Sequence, residues 1–296
     1  MEALENILDS GVIIIDKPPK LASHEVTTLV KKMLGAKRAG HAGTLDPGVS
    51  GVLPVALGRA TKLLDYIVAK DKVYVGIIKF KYEQPKENVL GLFKKFEGEI
   101  TQMPPKISAV RKVPRKRVIH YIKFLEQNGK FVLFETKTQA GTYVRTLCED
   151  IGKLTGGARM EELRRIAVGD IREDRAVKMQ DLADATWLWK EKKDEGQIRK
   201  MVLPVESYLA NYPRITLKVS AVSELLKGAQ LAAPGISGMG KFGKGERVAI
   251  YSEKNEFVGM GVALVASDAI DLGRRGMVVK TERIHMKKED LKTQTE

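Results

Sequence analysis

The first strongly apolar stretch is the β-branched run Val12-Ile13-Ile14-Ile15, which reads as a strand and is stopped by Asp16-Lys17-Pro18-Pro19. Ser23 then reads as the N-cap of a helix that carries Val26, Leu29, Val30 and Met33 at helical spacing, with Gly35 as its C-cap. Residues 39–48, AGHAGTLDPG, are too rich in glycine and proline for regular structure and predict a loop. A helix is expected from Ala60 to Val68. From Lys72 to Phe80 the chain alternates as a strand does, with Val73, Val75 and Ile77 on one face and Tyr74 and Gly76 on the other. A short helix over 86–97 ends before Met103-Pro104-Pro105, and Phe131–Thr138 reads as a strand. A helix follows from Tyr143 to Leu154, ended by Gly156-Gly157, and Ala158–Ile166 reads as a further short helix.

Beyond a mixed polar, helical region at 184–206 the pattern changes. Short strands with turn signals between them (Ile215–Val219, Arg247–Ser252, Phe257–Val265 and Met277–Met286) predict a small β-barrel or open sheet. The sequence Asn211-Tyr212-Pro213-Arg214 reads as the boundary, giving domains at 1–210 and 214–286. The polar tail 287–296 is expected to be disordered. The first ten or so residues are expected to pack on the C-terminal domain. The fold class that follows is α+β: a mixed, largely antiparallel sheet with flanking helices, then a small β domain.

Composition narrows the function classes. No run of about 18 apolar residues is present, so no transmembrane helix is expected. The N-terminus lacks the basic start and apolar stretch of a secretory signal. The single cysteine, Cys148, excludes an internal disulfide and a thiolate zinc site, and suits a reducing compartment. The four histidines show no metal-ligand spacing. The net charge of +14 is shared by both domains and suits a polyanionic partner, although an alkaline, solvated surface would look the same. The basic residues concentrate between Lys106 and Lys123, where seven Lys or Arg stand without an acid.

The candidate chemistry sits in ordered motifs. They are Asp16-Lys17-Pro18, Gly40-His41-Ala42-Gly43-Thr44-Leu45-Asp46-Pro47, Lys72-Val73-Tyr74, Gly141-Thr142-Tyr143-Val144-Arg145-Thr146-Leu147 and Glu162-Leu163-Arg164-Arg165. Together they resemble the pseudouridine synthase B family, most closely its archaeal and eukaryotic H/ACA (dyskerin-like) branch. Leu225-Leu226-Lys227-Gly228-Ala229-Gln230-Leu231 and Ala233-Pro234-Gly235-Ile236 resemble a PUA domain, an RNA-binding fold. The resemblance covers nearly the whole chain. It departs from the branch at 80–84, which lacks an expected histidine, and at Glu149, where a histidine is expected.

The resemblance implies an RNA pseudouridine synthase that needs no cofactor and no metal. Asp46 would be the nucleophile. A carboxylate is ionised at neutral pH without help, although Asp-Pro-Gly taken alone also reads as a simple turn. Arg145 would be its ion partner, held bidentately. Tyr74 would stack on the target base and share in proton transfer, and Leu163 would wall the base pocket. Because the base must leave its helix to be reached, His41 would fill the space it vacates or steady the loop. Lys17 counts with the RNA-binding residues and, with Pro18, supports the active-site loop. Arg111, Lys112, Arg115, Lys116 and Arg117 would track phosphates, with Arg164 and Arg165 extending that surface. Gly228 and Gly235 would let RNA approach the C-terminal backbone.

The implied substrate is rRNA, directed by an H/ACA guide RNA in a ribonucleoprotein with three small proteins, one of them binding a kink-turn. The segment 106–123 is short beside the RNA-clamping insertion of stand-alone enzymes, which favours a guide. The T-loop uridine of tRNA is the second substrate. A non-catalytic RNA-binding scaffold is the rival of a different class. The expected setting is the cytoplasm, or the nucleolus in a eukaryote.

Overall fold

The computed structural model describes residues 3–104, 111–273 and 276–289, and it divides into two compact units at Leu203/Pro204. Lys106 of the basic segment and residues 290–296 of the tail lie outside the described residues. In the first unit the order is α1 (Leu4–Ser10), β1 (Gly11–Lys17), α2 (Ser23–Leu34), β2 (Ala39–His41), β3 (Ser50–Leu57), α3 (Leu64–Val68), β4 (Lys72–Phe80) and α4 (Lys86–Phe96). Next come β5 (Gly98–Gln102), β6 (Arg115–Asn128), β7 (Phe131–Thr138), α5 (Val144–Lys153), β8 (Ala158–Val168), β9 (Ile171–Arg172), β10 (Val177–Lys178), α6 (Met179–Lys192), α7 (Gly196–Met201) and β11 (Val202–Pro204).

One mixed sheet organises this unit, in the order β10-β1-β3-β8-β4-β7-β6-β5. Only the β10–β1 and β3–β8 neighbours along that path are parallel. The expected largely antiparallel α+β architecture is what forms. Strand β1 is buried along nearly its whole length because it lies between β3 and β10 and under α2, which explains its unbroken β-branched run. Leu4, Ile7 and Leu8 of α1 join Ile13, Ile15, Val26 and Leu53 in one core cluster. The N-terminal segment, expected on the C-terminal domain, thus has its buried side chains in the core of its own unit.

Two readings of local pattern were overturned. Ala158–Val168 is a strand, not a helix. Met160, Glu161, Glu162, Leu163 and Arg164 favour helix intrinsically, but the segment closes the gap between β3 and β4, and Leu163, Arg165 and Ala167 alternate inward. Tertiary pairing outweighs propensities of a few tenths of a kcal/mol, roughly, per residue. The loop at 39–48 begins as a short strand, Ala39–His41, paired with β3. Strands β4 and β7 match their predicted limits. On β4 the more buried face is that of Tyr74, Gly76 and Ile78.

The second unit contains β12 (Arg214–Leu217), α8 (Val219–Leu226), β13 (Leu231–Ala232), β14 (Ile236–Met239), β15 (Arg247–Ser252), β16 (Phe257–Ala263) and β17 (Met277–Ile284). Its six strands order as β13-β17-β16-β15-β12-β14 around a core that includes Ile215, Val222, Leu225, Val248, Val258 and Val279. The predicted strands are present. Helix α8, which the sequence reading did not anticipate and which takes Val219 from the predicted strand, supplies Val222 and Leu225 to that core.

Candidate active site

Strands β4 and β8 carry the floor of the site. They pair antiparallel, and a bulge at Val73/Tyr74 sets Tyr74 directly opposite Arg165 while Gly76 faces Leu163. A bulge bends a strand and re-aims its side chains, and such bulges gather near active sites. A Cβ on Gly76 would come within 2.7 Å of a Leu163 methyl, so the glycine makes room for the leucine. Tyr74 and Leu163 are each 8% exposed and share a cluster with Leu45, Val49 and Val144. Those three residues flank Asp46 and Arg145, so the two charged groups are delivered to the edge of this apolar floor.

The loop bearing Asp46 is pinned from below. Ser23, read as a helix cap, instead exchanges two hydrogen bonds with Leu45: its hydroxyl donates to the Leu45 carbonyl and accepts from the Leu45 amide, each at 2.9 Å. The Lys17 ammonium donates to the carbonyls of Leu21, Pro18 and Pro47 at 2.6, 2.9 and 3.1 Å. Its three protons are all engaged, and the residue is fully buried. Lys17 therefore supports the loop and has no proton left to offer at the surface. Burial lowers its pKa, opposed by the charges of Asp46 and Glu25. The Val49 amide donates to the Asp46 carbonyl at 2.9 Å and closes the turn.

Arg145, at the start of α5, donates from Nη2 to Asp46 Oδ2 at 2.5 Å across 99 positions of sequence. The expected two-point clamp is not formed. One nitrogen meets one oxygen, and the side chains stay 39% and 51% exposed. Arg145 is itself placed by one residue the sequence did not mark and by another it marked for a different role. The Gln102 amide brackets Tyr143, donating to its carbonyl at 3.1 Å and accepting from its amide at 3.0 Å. Arg117 donates from Nε to the Gly141 carbonyl at 3.1 Å. Gln102 carried no sequence signal, since its role exists only once β5 meets the turn before α5.

His41 lies at the rim of the loop with Nδ1 at 2.9 Å from the Thr27 hydroxyl. That hydroxyl donates to the Ser23 carbonyl at 2.8 Å, so the histidine supplies the proton of the other bond and carries it on Nδ1. Burial first, then His24 and Arg165, push its pKa below the ordinary value.

The predicted RNA contacts divide. Arg111 and Lys112 are exposed and hold their charge at the surface. Lys116 meets Glu99 at 2.8 Å on an open edge. Arg115 reaches the Arg111 carbonyl at 3.5 Å, and Arg117 is engaged with the Gly141 turn. Arg164 and Arg165 do not extend that surface. Arg164 is held by Asp16 and Glu173, and Arg165 is 1% exposed. In the C-terminal unit Gly228 ends α8 at a left-handed φ of 103°. Gly235 lies against Ala221 beside a cavity of about 320 Å³ that Glu224, Gln230 and Pro234 also line.

Comparison with known proteins identifies the family. Residues 31–144 match the TruB family pseudouridylate synthase N-terminal domain, 145–210 the tRNA pseudouridylate synthase B C-terminal domain and 213–285 the PUA domain. The chain is 43% identical to the probable tRNA pseudouridine synthase B of Pyrobaculum aerophilum, over 96% of this chain and 86% of the relative. It is also 43% identical to that of Methanocaldococcus jannaschii, over 96% and 85%. A crystal structure of a Cbf5–Nop10–Gar1 complex superposes with a TM-score of 0.90 at 39% identity, covering 98% of this chain and 89% of that one. An H/ACA ribonucleoprotein bound to a substrate RNA containing 2′-deoxyuridine gives 0.88 at 38%, covering 98% and 90%. The chain belongs to the TruB family of pseudouridylate synthases and is a pseudouridine synthase with a C-terminal PUA domain.

Proposed function

We propose that this enzyme isomerises uridines of rRNA under the direction of an H/ACA guide RNA, with Asp46 as nucleophile. The observation that carries the assignment of Asp46 is its single-point pairing with Arg145, which orients one carboxylate oxygen and, among the described residues, leaves Oδ1 without a partner, at the edge of the Tyr74–Leu163 floor. In the net reaction the bond from the ribose to N1 of uracil breaks, a bond to C5 forms, and a proton leaves C5 while one is gained at N1. Asp46 forms a transient covalent bond to one of the two reacting fragments, and that bond breaks again once the bond to C5 is made, which regenerates the carboxylate. Tyr74 and Leu163 confine the detached ring while it turns, and the Tyr74 hydroxyl shares in the proton transfer. His41, neutral with Nδ1 protonated, lines the entry. Arg111 and Lys112, and the Gly228 and Gly235 backbone of the PUA domain, contact the RNA.

The guided reading is supported by the similarity to Cbf5, whose structures were solved with Nop10 and Gar1 and with a substrate RNA. Small proteins of that kind, together with one that binds a kink-turn in the guide, would be the partners. Among the described residues no helix is long and apolar enough to cross a membrane, which suits action in the cytoplasm of an archaeal-type cell. A second reading, a guide-independent enzyme for the T-loop uridine of tRNA, is favoured by the names of the archaeal relatives.

Pseudouridine content separates the two. The purified enzyme is incubated with bare tRNA transcript, and with an rRNA fragment plus guide and partner proteins. Product only in the guided reaction supports the ribonucleoprotein. Product on bare tRNA alone replaces it with the stand-alone enzyme. RNA binding without product in either reaction would leave the scaffold.

A further inference from the structure

Among the described residues Arg165 is the buried arginine, and the chemistry above does not use it. It sits in β8 between two partners. Tyr74 of β4 is opposite it on one side, at the bulge, and Gly51 of β3 on the other. Its Nε donates to the Val52 carbonyl at 2.9 Å. Its Nη1 lies under the catalytic loop, where a Cβ on Gly43 would come within 3.2 Å of it. Its Nη2 is buried with no hydrogen-bond partner among the described residues, and no carboxylate pairs with the group. Tyr74 faces it across the strands, and burial drives the guanidinium's pKa down while Tyr74 opposes that.

A buried cation with a spare donor and no counter-ion is costly, and it calls for a reason. Packing alone gives none, because an apolar side chain of similar volume would fill the space without that cost. The donor inventory supplies one. A guanidinium only donates, so when Arg165 and the Tyr74 hydroxyl meet across the strands the Tyr74 oxygen accepts, and the tyrosine's own proton then points away from Arg165. Cross-strand neighbours on one face stand about 5 Å apart at Cβ, so a change at one is felt directly at the other. Leu163 precedes Arg165 by two positions and shares its face.

We propose that Arg165 is a positioning residue for isomerisation: from beneath the Asp46 loop it fixes the orientation of the Tyr74 hydroxyl and underpins Gly43, without touching substrate. The proposal rests on the assignment of Tyr74 and Asp46 to the site. It predicts a loss in turnover that runs through Tyr74, with little change in RNA binding.

The test labels tyrosine Cζ with carbon-13 and follows the eight tyrosine resonances. The Tyr74 signal is the one that vanishes in Tyr74→Phe. In Arg165→Lys that signal should move while the others stay, kcat should fall by about 10–100-fold, and KM for RNA should change by less than about threefold. Placed in the Tyr74→Phe background, Arg165→Lys should cost little further. An unmoved Tyr74 signal, or equal losses in both backgrounds, would make Arg165 a structural residue and overturn the proposal. Should Arg165→Lys fail to fold by circular dichroism, nitrogen-15 arginine spectra of wild type and Tyr74→Phe decide. The slowly exchanging guanidinium signal shifts on loss of the hydroxyl if the proposal holds and stays put if it does not. Failure of the underlying assignment shows differently, as full activity in Asp46→Ala, whatever the spectra show.

Discussion

Two of the arginine–aspartate pairs in the N-terminal unit, Arg164–Asp16 and Arg145–Asp46, differ in grip, and by geometry alone the first looks the more important. Arg164 grips Asp16 with two parallel bonds, Nη1 to Oδ1 at 2.8 Å and Nη2 to Oδ2 at 3.1 Å, and its Nε holds Glu173 at 2.8 Å. Asp16 first, against burial, and then Glu173 hold the Arg164 pKa above its ordinary value. Arg145 meets Asp46 through a single contact on a more open edge. A carboxylate with both oxygens gripped is a good structural tie and a poor nucleophile. One with a single oxygen anchored keeps its orientation and a free lone pair. The looser pair is the one suited to chemistry. The tighter one joins the end of β1 to β8 and steadies the floor beneath.

This contrast can be broken at either pair. The largest effect is expected at Arg145: Arg145→Leu should lower single-turnover pseudouridine formation by on the order of 10³-fold, and Arg145→Lys, which keeps the charge but not the reach and direction of the guanidinium, by about 10²-fold. Normal turnover in Arg145→Lys would remove the guanidinium geometry from the mechanism. Next, the exposed cations should behave unlike the tied ones. Arg111→Ala and Lys112→Ala should each reduce the slope of log RNA affinity against log salt by about 1, whereas Arg164→Ala should leave it unchanged. A slope change in Arg164→Ala would mean that its carboxylate partners release it to RNA. Asp16→Asn should cost about 1–2 kcal/mol in urea unfolding while kcat stays within about threefold.

The smallest effect concerns Lys72, two residues before Tyr74. Its ammonium is buried and donates to the carbonyls of Val68 and Lys70 at 2.6 and 2.8 Å. Burial, then the charge of Arg165, lowers its pKa to about 8, against an opposing pull from Asp71. The folded value lies below the unfolded value of 10.5, so between about pH 8 and 10.5 the unfolded chain binds the extra proton. Stability contributed by this group therefore rises with pH across that window. Urea unfolding of wild type and Lys72→Met at pH 8 and pH 10 should show the difference moving in favour of wild type. A difference that stays flat would mean that Lys72 is not charged and buried as described.

The same contrast marks what the sequence could show. Asp46 and Arg145 were legible because glycine and proline around the one, and the Gly141–Arg145 turn before the other, sit in ordered motifs. The strand of Tyr74 was legible from two-residue alternation, and that of Phe131–Thr138 was read within its correct limits. Strand β8 was not, because Glu161, Glu162, Leu163 and Arg164 favour helix and the pairing that overrides them lies more than eighty residues away. For the same reason Arg164 and Arg165 read as surface cations. Nothing local distinguishes an arginine that will face phosphate from one that will be gripped by Asp16 or buried beside Tyr74. Ser23 and Lys17 carried local signals of a cap and a charged turn. Their loop-pinning roles depend on Leu45 and Pro47 arriving from 22 and 30 positions further on.

The central claim, that the free oxygen of Asp46 does the chemistry while Asp16 is a tie, is tested most directly by single-turnover pseudouridine formation in Asp46→Asn and Asp16→Asn, assayed side by side on one RNA with binding measured in parallel. Asp46→Asn should lose at least about 10⁴-fold in rate with RNA affinity nearly unchanged, and Asp16→Asn should remain within about threefold of wild type. Retained turnover in Asp46→Asn, or a collapse of turnover in a folded Asp16→Asn enzyme, would contradict the account.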